Sequence, residues 1–518
     1  MPVQLKKKLN SISETIAILD SQVYTEVDVI VPDIKPDIAK ILQIDVRPVI
    51  TEKNVTSDKI NIDGRVDINI IYISDNQHIK NVVTSSKFNH RVDNKSITQD
   101  MDVVLECETE NIDYYLLNSR KVNIQSRIGI CARVSKTNNI ELTVGLEDEN
   151  FEVCTKDTDI YSIKHRSCYP ITVKSNIELA SNKPNIDEIL KIDVRALSQE
   201  IQTSINQIGL LGNLEINVIY LSDIGTNNIQ TIDNIIEFSE NIEIPDIDND
   251  DIQCDVDYVV KDIIYNVKEN DDGENKIILI QVMIEANLKV GCQNKIPLLS
   301  DTYCIKDEVI LDTDVLNTEK IIAERKVQNS FKEILSINEG AAKIRRICYV
   351  DHSIEITETN LDDNELIVGG VVKFNTLYLC DDLSIVMSYC KNEIPFSHKL
   401  PIEIYEKQTS ELMFDIKSNI NKFSSSTMSD TQFEVKFVID LNIKVMETEK
   451  ITHVKEVNIN ENCPPLETNN CCMRVYFVKD GDTLWDIAKK YRVKIDSLKE
   501  FNEIYEDVVV PGMKILLT

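Results

Sequence analysis

The feature that most constrains this chain is that it repeats itself. Lys35-Pro36-Asp37-Ile38, followed by Ile41-Leu42-Gln43-Ile44-Asp45-Val46-Arg47, recurs 148 positions later as Lys183-Pro184-Asn185-Ile186 and Ile189-Leu190-Lys191-Ile192-Asp193-Val194-Arg195. A third, eroded copy is read at Glu333-Ile334-Leu335-Ser336-Ile337, by its match to Glu188–Ile192. Each copy then carries a second signature, Gly-x-[Val/Leu]-x-[Ile/Phe]-Asn-x-[Ile/Leu]-Tyr, at Gly64–Tyr72, Gly212–Tyr220 and Gly370–Tyr378. Phe88-Asn89, Phe238-Ser239 and Phe396-Ser397 follow in register, and Asn287-Leu288-Lys289-Val290 matches Asn442-Ile443-Lys444-Val445. A repeat of this length is a domain-sized unit. The expectation is three tandem domains over 24–150, 165–300 and 325–450, with an N-terminal segment over 1–23 and a linker over 451–473.

The second signature has period two. Ile60, Ile62, Val66, Ile68, Ile70 and Tyr72 share one face, and Asn61, Asp63, Arg65, Asp67 and Asn69 share the other. This alternation is that of a half-buried strand. Gly64, Gly212 and Gly370 fall on the apolar face, where glycine in a strand marks a bend or a close approach. The abundance of Ile and Val between polar turns predicts a mainly β chain of antiparallel sandwich- or barrel-like domains. Ile38, Ile41 and Leu42 have i, i+3, i+4 spacing, which predicts one or two helical turns after Pro36.

Charge and cysteines exclude several functions. Asp plus Glu number 87 against 56 Lys plus Arg, a net charge of −31. A phosphate-binding surface is basic, so this balance argues against nucleic acid and against docking on anionic lipid. The opening residues carry Lys6, Lys7 and Lys8 but no apolar run, and no stretch reaches the length of a membrane span, so neither a secretory signal nor a membrane segment is expected. The 13 cysteines form no Cys-x-x-Cys pair, and the six histidines lack metal-ligand spacing. Reduced, buried thiols are the expectation, with Cys463, Cys471 and Cys472 in the linker. Asp246-x-Asp248-x-Asp250-Asp251 begins like a calcium loop but lacks glycine at its sixth position and glutamate at its twelfth. There is no phosphate-binding glycine loop and no nucleophile elbow. No enzyme, catalytic residue, cofactor or metal site is expected.

The repeated motifs resemble the SPOCS domain of sporulating Firmicutes, a family that brings no catalytic residue with it. The last 45 residues are different in kind. Tyr476-Phe477-Val478-Lys479-Asp480-Gly481-Asp482-Thr483-Leu484-Trp485-Asp486-Ile487-Ala488-Lys489-Lys490-Tyr491, then Leu498, Phe501-Asn502 and Val510-Pro511-Gly512-Met513-Lys514-Ile515, resemble a LysM domain over 474–518. Thr483 and Asp486 have capping-box spacing, and Leu484, Ile487, Ala488 and Tyr491 make a helical stripe, in keeping with a small βααβ module. Arg492 and Lys494 stand where the LysM family often has Gly and a capping Ser or Thr, and Met513 where it often has Gln. The module balances eight basic against eight acidic residues, so the whole −31 lies on 1–473.

Tandem SPOCS-like domains followed by a LysM module resemble clostridial spore morphogenetic proteins. That resemblance implies a non-enzymatic scaffold in the mother-cell cytosol, at the forespore surface. It implies binding of the coat basement-layer ATPase SpoIVA through the module and encasement of the forespore by coat. Trp485, the only tryptophan, lies one position off the helical stripe, and tryptophan is enriched among residues that dominate interfaces. The expected partner face is Met473, Leu484, Trp485 and Lys489. The alternative is binding of peptidoglycan or a precursor containing N-acetylglucosamine, in a groove of Gly481, Asp482, Thr483, Leu484, Asn502, Val509, Val510, Pro511 and Gly512.

Overall fold

The computed structural model describes residues 3–222, 228–245, 252–362, 364–381, 387–402, 412–460, 474–505 and 508–517. Before the C-terminal module, the described strands form three sets of six. The first set is β1 (Leu5–Ile30), β2 (Ile38–Thr56), β3 (Lys59–Ser74), β4 (Ile79–Asp93), β5 (Asp102–Asn118) and β6 (Lys121–Leu146). The second is β7 (Phe151–Glu178), β8 (Glu188–Ser204), β9 (Gln207–Leu221), β10 (Ile229–Glu243), β11 (Ile252–Glu269) and β12 (Asn275–Cys304). The third is β13 (Val309–Ser336), β14 (Ile344–Asp362), β15 (Glu365–Cys380), β16 (Met387–Pro401), β17 (Leu412–Thr427) and β18 (Gln432–Ile459).

In every set the second, third and fourth strands make one antiparallel sheet, and the first, sixth and fifth make another with the sixth in the middle. The two sheets face each other as a sandwich. In the first repeat Ile60, Ile62, Val66, Ile68 and Ile70 of β3 meet Val122, Ile124, Ile128, Ile130 and Ala132 of β6. The signature strand is therefore the middle strand of its sheet, and its alternation is the alternation of core and cover. The mainly β expectation holds. The second and third repeats build their cores from the corresponding strands, β9 with β12 and β15 with β18.

The motif residues support one another. Tyr72 Oη donates to the Pro36 carbonyl at 3.0 Å, and Tyr220 Oη to the Pro184 carbonyl at 3.2 Å. Lys35 and Lys183 each donate to a backbone carbonyl of the fourth strand, Asn81 and Thr231.

The helical turn expected after Pro36 is a strand instead. Register shifts between Ile38 and Lys40 and between Ile41 and Gln43 interrupt the β2–β3 ladder. Bulges of this kind re-aim side chains, so Ile38 and Ile41 enter the sandwich core while Leu42 turns to another. The third copy also begins elsewhere than read from sequence. Glu333–Ser336 end β13, and β14 takes the place of β2 and β8. The 158-residue offset of the glycine signature then aligns Tyr349-Val350-Asp351 with Lys191-Ile192-Asp193.

The first and last strands of each repeat run for 26 to 30 residues, against about 5–6 in an ordinary strand. Their outer halves leave the sandwiches as two-stranded ribbons. Each departure is marked by a register shift, at Thr15/Ala17, Val290/Gly291 and Ile321/Ala323. The ribbons then pack on one another through Ile12, Leu142, Ile160, Ile296, Leu298, Leu316 and Ile451. Residues 5–23 thus belong to β1, Leu5–Thr15 in the ribbon and the remainder in the sandwich, and 451–459 end β18 rather than beginning a linker. A ribbon buries one narrow face, so it lacks the dense apolar pattern that marks the sandwiches. Residues 461–473, with Cys463, Cys471, Cys472 and Met473, lie outside the described residues, as do 246–251 of the calcium-like run.

The three repeats also meet at their opposite ends. Leu42, Ile71, Ile73 and Ile79 cluster with Leu190, Ile219, Leu221 and Ile229, and with Cys348, Leu377, Leu379 and Met387. These are the same four positions of each copy, so the repeats stand around a pseudo-threefold axis. Ion pairs tie every neighbouring pair: Arg65–Asp262 at 3.1 Å, Lys417–Asp257 at 2.6 Å and Arg133–Asp415 at 3.2 Å. No described cysteine forms a disulfide.

Candidate functional site: the C-terminal module and its seat

The module is β19 (Arg474–Phe477), α1 (Leu484–Tyr491), α2 (Ile495–Asn502) and β20 (Lys514–Leu517), with β19 and β20 antiparallel. The capping box forms as read from sequence. Asp486 N donates to Thr483 Oγ1 at 3.1 Å, and Thr483 N donates to Asp486 Oδ2 at 3.3 Å. Leu484, Ile487, Ala488 and Leu498 are buried with Ile515 and Leu517. Two substitutions noted in the sequence have structural consequences. Arg492 closes α1 in the left-handed conformation, φ 53°, and Lys494 precedes α2 without a side-chain cap.

The glycan-groove residues divide. Gly481 and Gly512 take positive φ, 85° and 88°, as tight turns favour. Asp482 accepts from Tyr476 Oη at 2.7 Å and from Lys479 N at 2.8 Å. The Tyr476 bond is the main reason its carboxyl is held below the usual range, and in return Asp482 pushes the Tyr476 phenol up to about 12. Asn502 donates to the Leu498 and Leu516 carbonyls at 2.8 and 2.9 Å and accepts from Leu516 N at 2.7 Å. It fastens α2 to β20, with both amide groups bonded to backbone. Val509 packs against the module core, whereas Val508 and Val510 are 66 % and 58 % exposed beside Pro511.

The partner-face residues divide as well. Leu484 is 2 % exposed and belongs to the core, so its side chain offers nothing to a partner. Trp485 and Lys489, one turn apart on α1, converge on a residue of the second repeat. Trp485 Nε1 donates to Asp301 Oδ2 at 2.8 Å, and Lys489 Nζ lies 2.6 and 2.7 Å from Asp301 Oδ1 and Oδ2. The Trp485 ring stands edge-on to Tyr303, centroids 5.1 Å apart. Tyr303 is 3 % exposed and donates to the Val493 carbonyl at 2.6 Å, so it is part of the module's own core. Asp301 and Tyr303 sit at the end of β12, between the second and third domains expected from sequence. No local signal marks them: Leu298-Leu299-Ser300-Asp301-Thr302-Tyr303 straddles the boundary expected at 300 and does not alternate.

A second candidate lies on the pseudo-threefold axis. A cavity of about 1310 Å³ is lined by residues of all three repeats. Asp45, Asp193 and Asp351 are the same position of each copy, and each has found a partner. Lys191 Nζ lies 3.0 Å from Asp45, Tyr349 Oη donates to Asp193 at 2.7 Å, and Arg195 Nη2 reaches Asp351 at 2.9 Å. Burial works to raise the Asp193 carboxyl, but Lys191, Arg195 and the Tyr349 bond outweigh it and hold it low. Burial, and then Arg195, depress the neighbouring His352 to about 3, so the ring is neutral. The charges at the axis compensate one another across the repeat junctions. Among the described residues no cluster of His, Cys, Asp and Glu is arranged to hold a metal ion.

Three sandwich repeats locked about an axis, with a small helical module seated on the second, define a tandem-repeat β protein. Comparison with known proteins gives the class a family. The family described as "SipL, SPOCS domain" matches residues 37–117, 185–268 and 343–425, and the LysM domain family matches 476–518. The chain therefore carries three SPOCS domains and a C-terminal LysM domain. Among curated proteins it is similar to the spore coat assembly protein ExsA of Bacillus cereus. They are 51% identical over 45 residues, which is 8% of this chain and 7% of that protein. It is also similar to the uncharacterized protein YkzQ of Bacillus subtilis (strain 168), 42% identical over 38 residues, 7% of this chain and 51% of that protein. The chain therefore covers less than two thirds of either relative. No solved structure matches. Among the described residues no helix is long and apolar enough to cross a membrane.

Proposed function

We propose that the chain is a non-enzymatic scaffold of spore coat assembly, working in the mother cell at the forespore surface. In this reading the LysM domain binds the coat basement-layer ATPase SpoIVA, and the acidic SPOCS repeats supply further contacts to coat proteins. The observation that carries it is the pairing of interlocked SPOCS repeats with one LysM domain, in a chain of which 45 residues are similar to a spore coat assembly protein. Two binding regions on one chain gain avidity through effective concentration, which suits a layer built from many weak contacts. Within the LysM domain Trp485 and Lys489 are the proposed anchors.

Co-purification of SpoIVA with the full chain, with a chain ending at Cys472 and with Trp485→Glu tests this. Loss of SpoIVA with both changes is the expected result. Retention of SpoIVA by Trp485→Glu would overturn the anchor. The exposed Val508, Val510 and Pro511 favour a second reading, a glycan groove. Retention of the full chain on insoluble peptidoglycan, abolished by truncation at Cys472, would support that one.

A further inference from the structure

The contact between the LysM domain and β12 occupies the very residues proposed to meet a partner. Asp301 offers one carboxylate to two donors, the indole N–H of Trp485 and the ammonium of Lys489, at 2.6 to 2.8 Å. Tyr303, two residues on, presents its ring to the indole and its hydroxyl to Val493. We propose that the Asp301–Tyr303 strand end is a built-in occupant of the module's partner face, which an incoming protein must displace and whose chemistry that protein reproduces: a carboxylate beside an aromatic side chain. This rests on the reading of Trp485 and Lys489 as anchors.

The chemistry of the seat selects the partner. An indole N–H is satisfied by any acceptor, including a sugar hydroxyl. An ammonium aimed at the same point requires negative charge for an equal contact. A group that satisfies both is a carboxylate, so the face fits an acidic, aromatic protein segment better than a neutral glycan. The seat is also displaceable. The Lys489–Asp301 pair keeps side-chain exposures of 41% and 27%, a level at which solvent and salt compete with the contact. A domain covalently tethered to its own seat sees it at an effective concentration of about millimolar. A partner offering the same groups on a more extended surface can compete with that. Contact with a partner and contact with Asp301 are then mutually exclusive, and release of the module accompanies assembly.

Trp485 is the only tryptophan of the chain, so its fluorescence reports the seat directly. In full-length Asp301→Ala the emission should shift to the red and acrylamide quenching should rise. Recovery of SpoIVA, used as the probe, should increase several-fold. High salt on the unaltered chain should produce the same spectral shift. In the Asp301→Ala background Lys489→Glu should lower SpoIVA recovery at least tenfold while Lys489→Arg keeps it. Asp301→Glu, which keeps a carboxylate for both donors, should keep the original emission, which guards against a misfolded single variant. Unchanged fluorescence in Asp301→Ala, or unchanged SpoIVA recovery, overturns the displacement. Equal recovery with Lys489→Glu in that background overturns the carboxylate. If instead Trp485→Glu leaves recovery intact in the unaltered chain, it is the reading of the anchors that fails.

Discussion

Phe88 lies flat over Gly64, its partner across the β3–β4 ladder, in the space a Cβ on residue 64 would need. The same pair recurs as Gly212–Phe238 and Gly370–Phe396. Two signatures seen separately in the sequence are thus one cross-strand contact, a ring filling the notch that glycine leaves.

The copies differ in what else surrounds the notch, and this separates their responses to mutation. The three atoms nearest a Cβ at Gly64 all belong to the Phe88 ring, whereas the nearest to one at Gly370 is the backbone carbonyl of Glu355, closer than the Phe396 ring. Overpacking of this kind costs about 1–3 kcal/mol. Gly64→Ala should lower the urea midpoint of the full chain, and adding Phe88→Leu should recover much of the loss. Gly370→Ala should lower it at least as far, with little recovery from Phe396→Leu. Equal rescue at both sites would refute the backbone contribution.

These pairs also show why some of the fold was legible and some not. Alternation along Ile60–Tyr72 survives because β3 is flanked by two strands and covered by a core, so every second position is constrained. The spacing of Ile38, Ile41 and Leu42 mimicked a helix because bulges break a strand's period locally, and no short sequence window separates the two. Ribbon residues such as Ile12 and Leu316 bury one narrow face against other repeats, a contact that local periodicity does not reveal. The capping box at Thr483 was legible because it is made within four residues. Asp301 was not, because its partners Trp485 and Lys489 lie more than 180 positions away.

The ends of α1 and α2 in the LysM domain carry residues that their backbone conformation does not favour. Arg492 sits at φ 53°, a region costing an L-residue about 1–2 kcal/mol. Lys494 leaves the first turn of α2 without a side-chain acceptor, where Ser or Asp contributes about 0.5–2 kcal/mol. Arg492→Gly and Lys494→Ser should each stabilise the domain by roughly 1 kcal/mol. The sole tryptophan reports its unfolding, and a midpoint that falls would contradict the cap argument.

Asn502 should behave as a fastener. Its amide makes two bonds from α2 to β20 and a third to Leu498 within α2, and leaving buried backbone groups unpaired costs about 1–3 kcal/mol each. Asn502→Ala is therefore expected to unfold the LysM domain at lower urea, read from Trp485 emission. If peptidoglycan retention is present, it should fall only where the domain melts. A specific loss of retention with unchanged stability would return Asn502 to the groove.

The junction at the axis predicts an acid response. His352 is depressed to about 3 from an ordinary 6.5, first by burial and then by Arg195, whose Nη1 lies 2.8 Å from Nδ1. Between those two values the unfolded chain binds a proton that the folded ring refuses. Stability from the neutral ring is thus complete above pH 6.5 and is lost as the pH falls toward 3. Burial pushes the adjacent Asp351 up, which works in the opposite sense, while the low Asp193 works in the same sense as His352. Both carboxylates are kept in His352→Gln, so the difference between the two proteins isolates the imidazole. The variant should be less stable at pH 7, through the lost packing against Phe423, 4.8 Å from the ring. It should lose less of its remaining stability on going from pH 7 to pH 4.5. Urea unfolding followed by circular dichroism at the two pH values measures this, and parallel losses in both proteins would show that His352 does not carry the acid sensitivity.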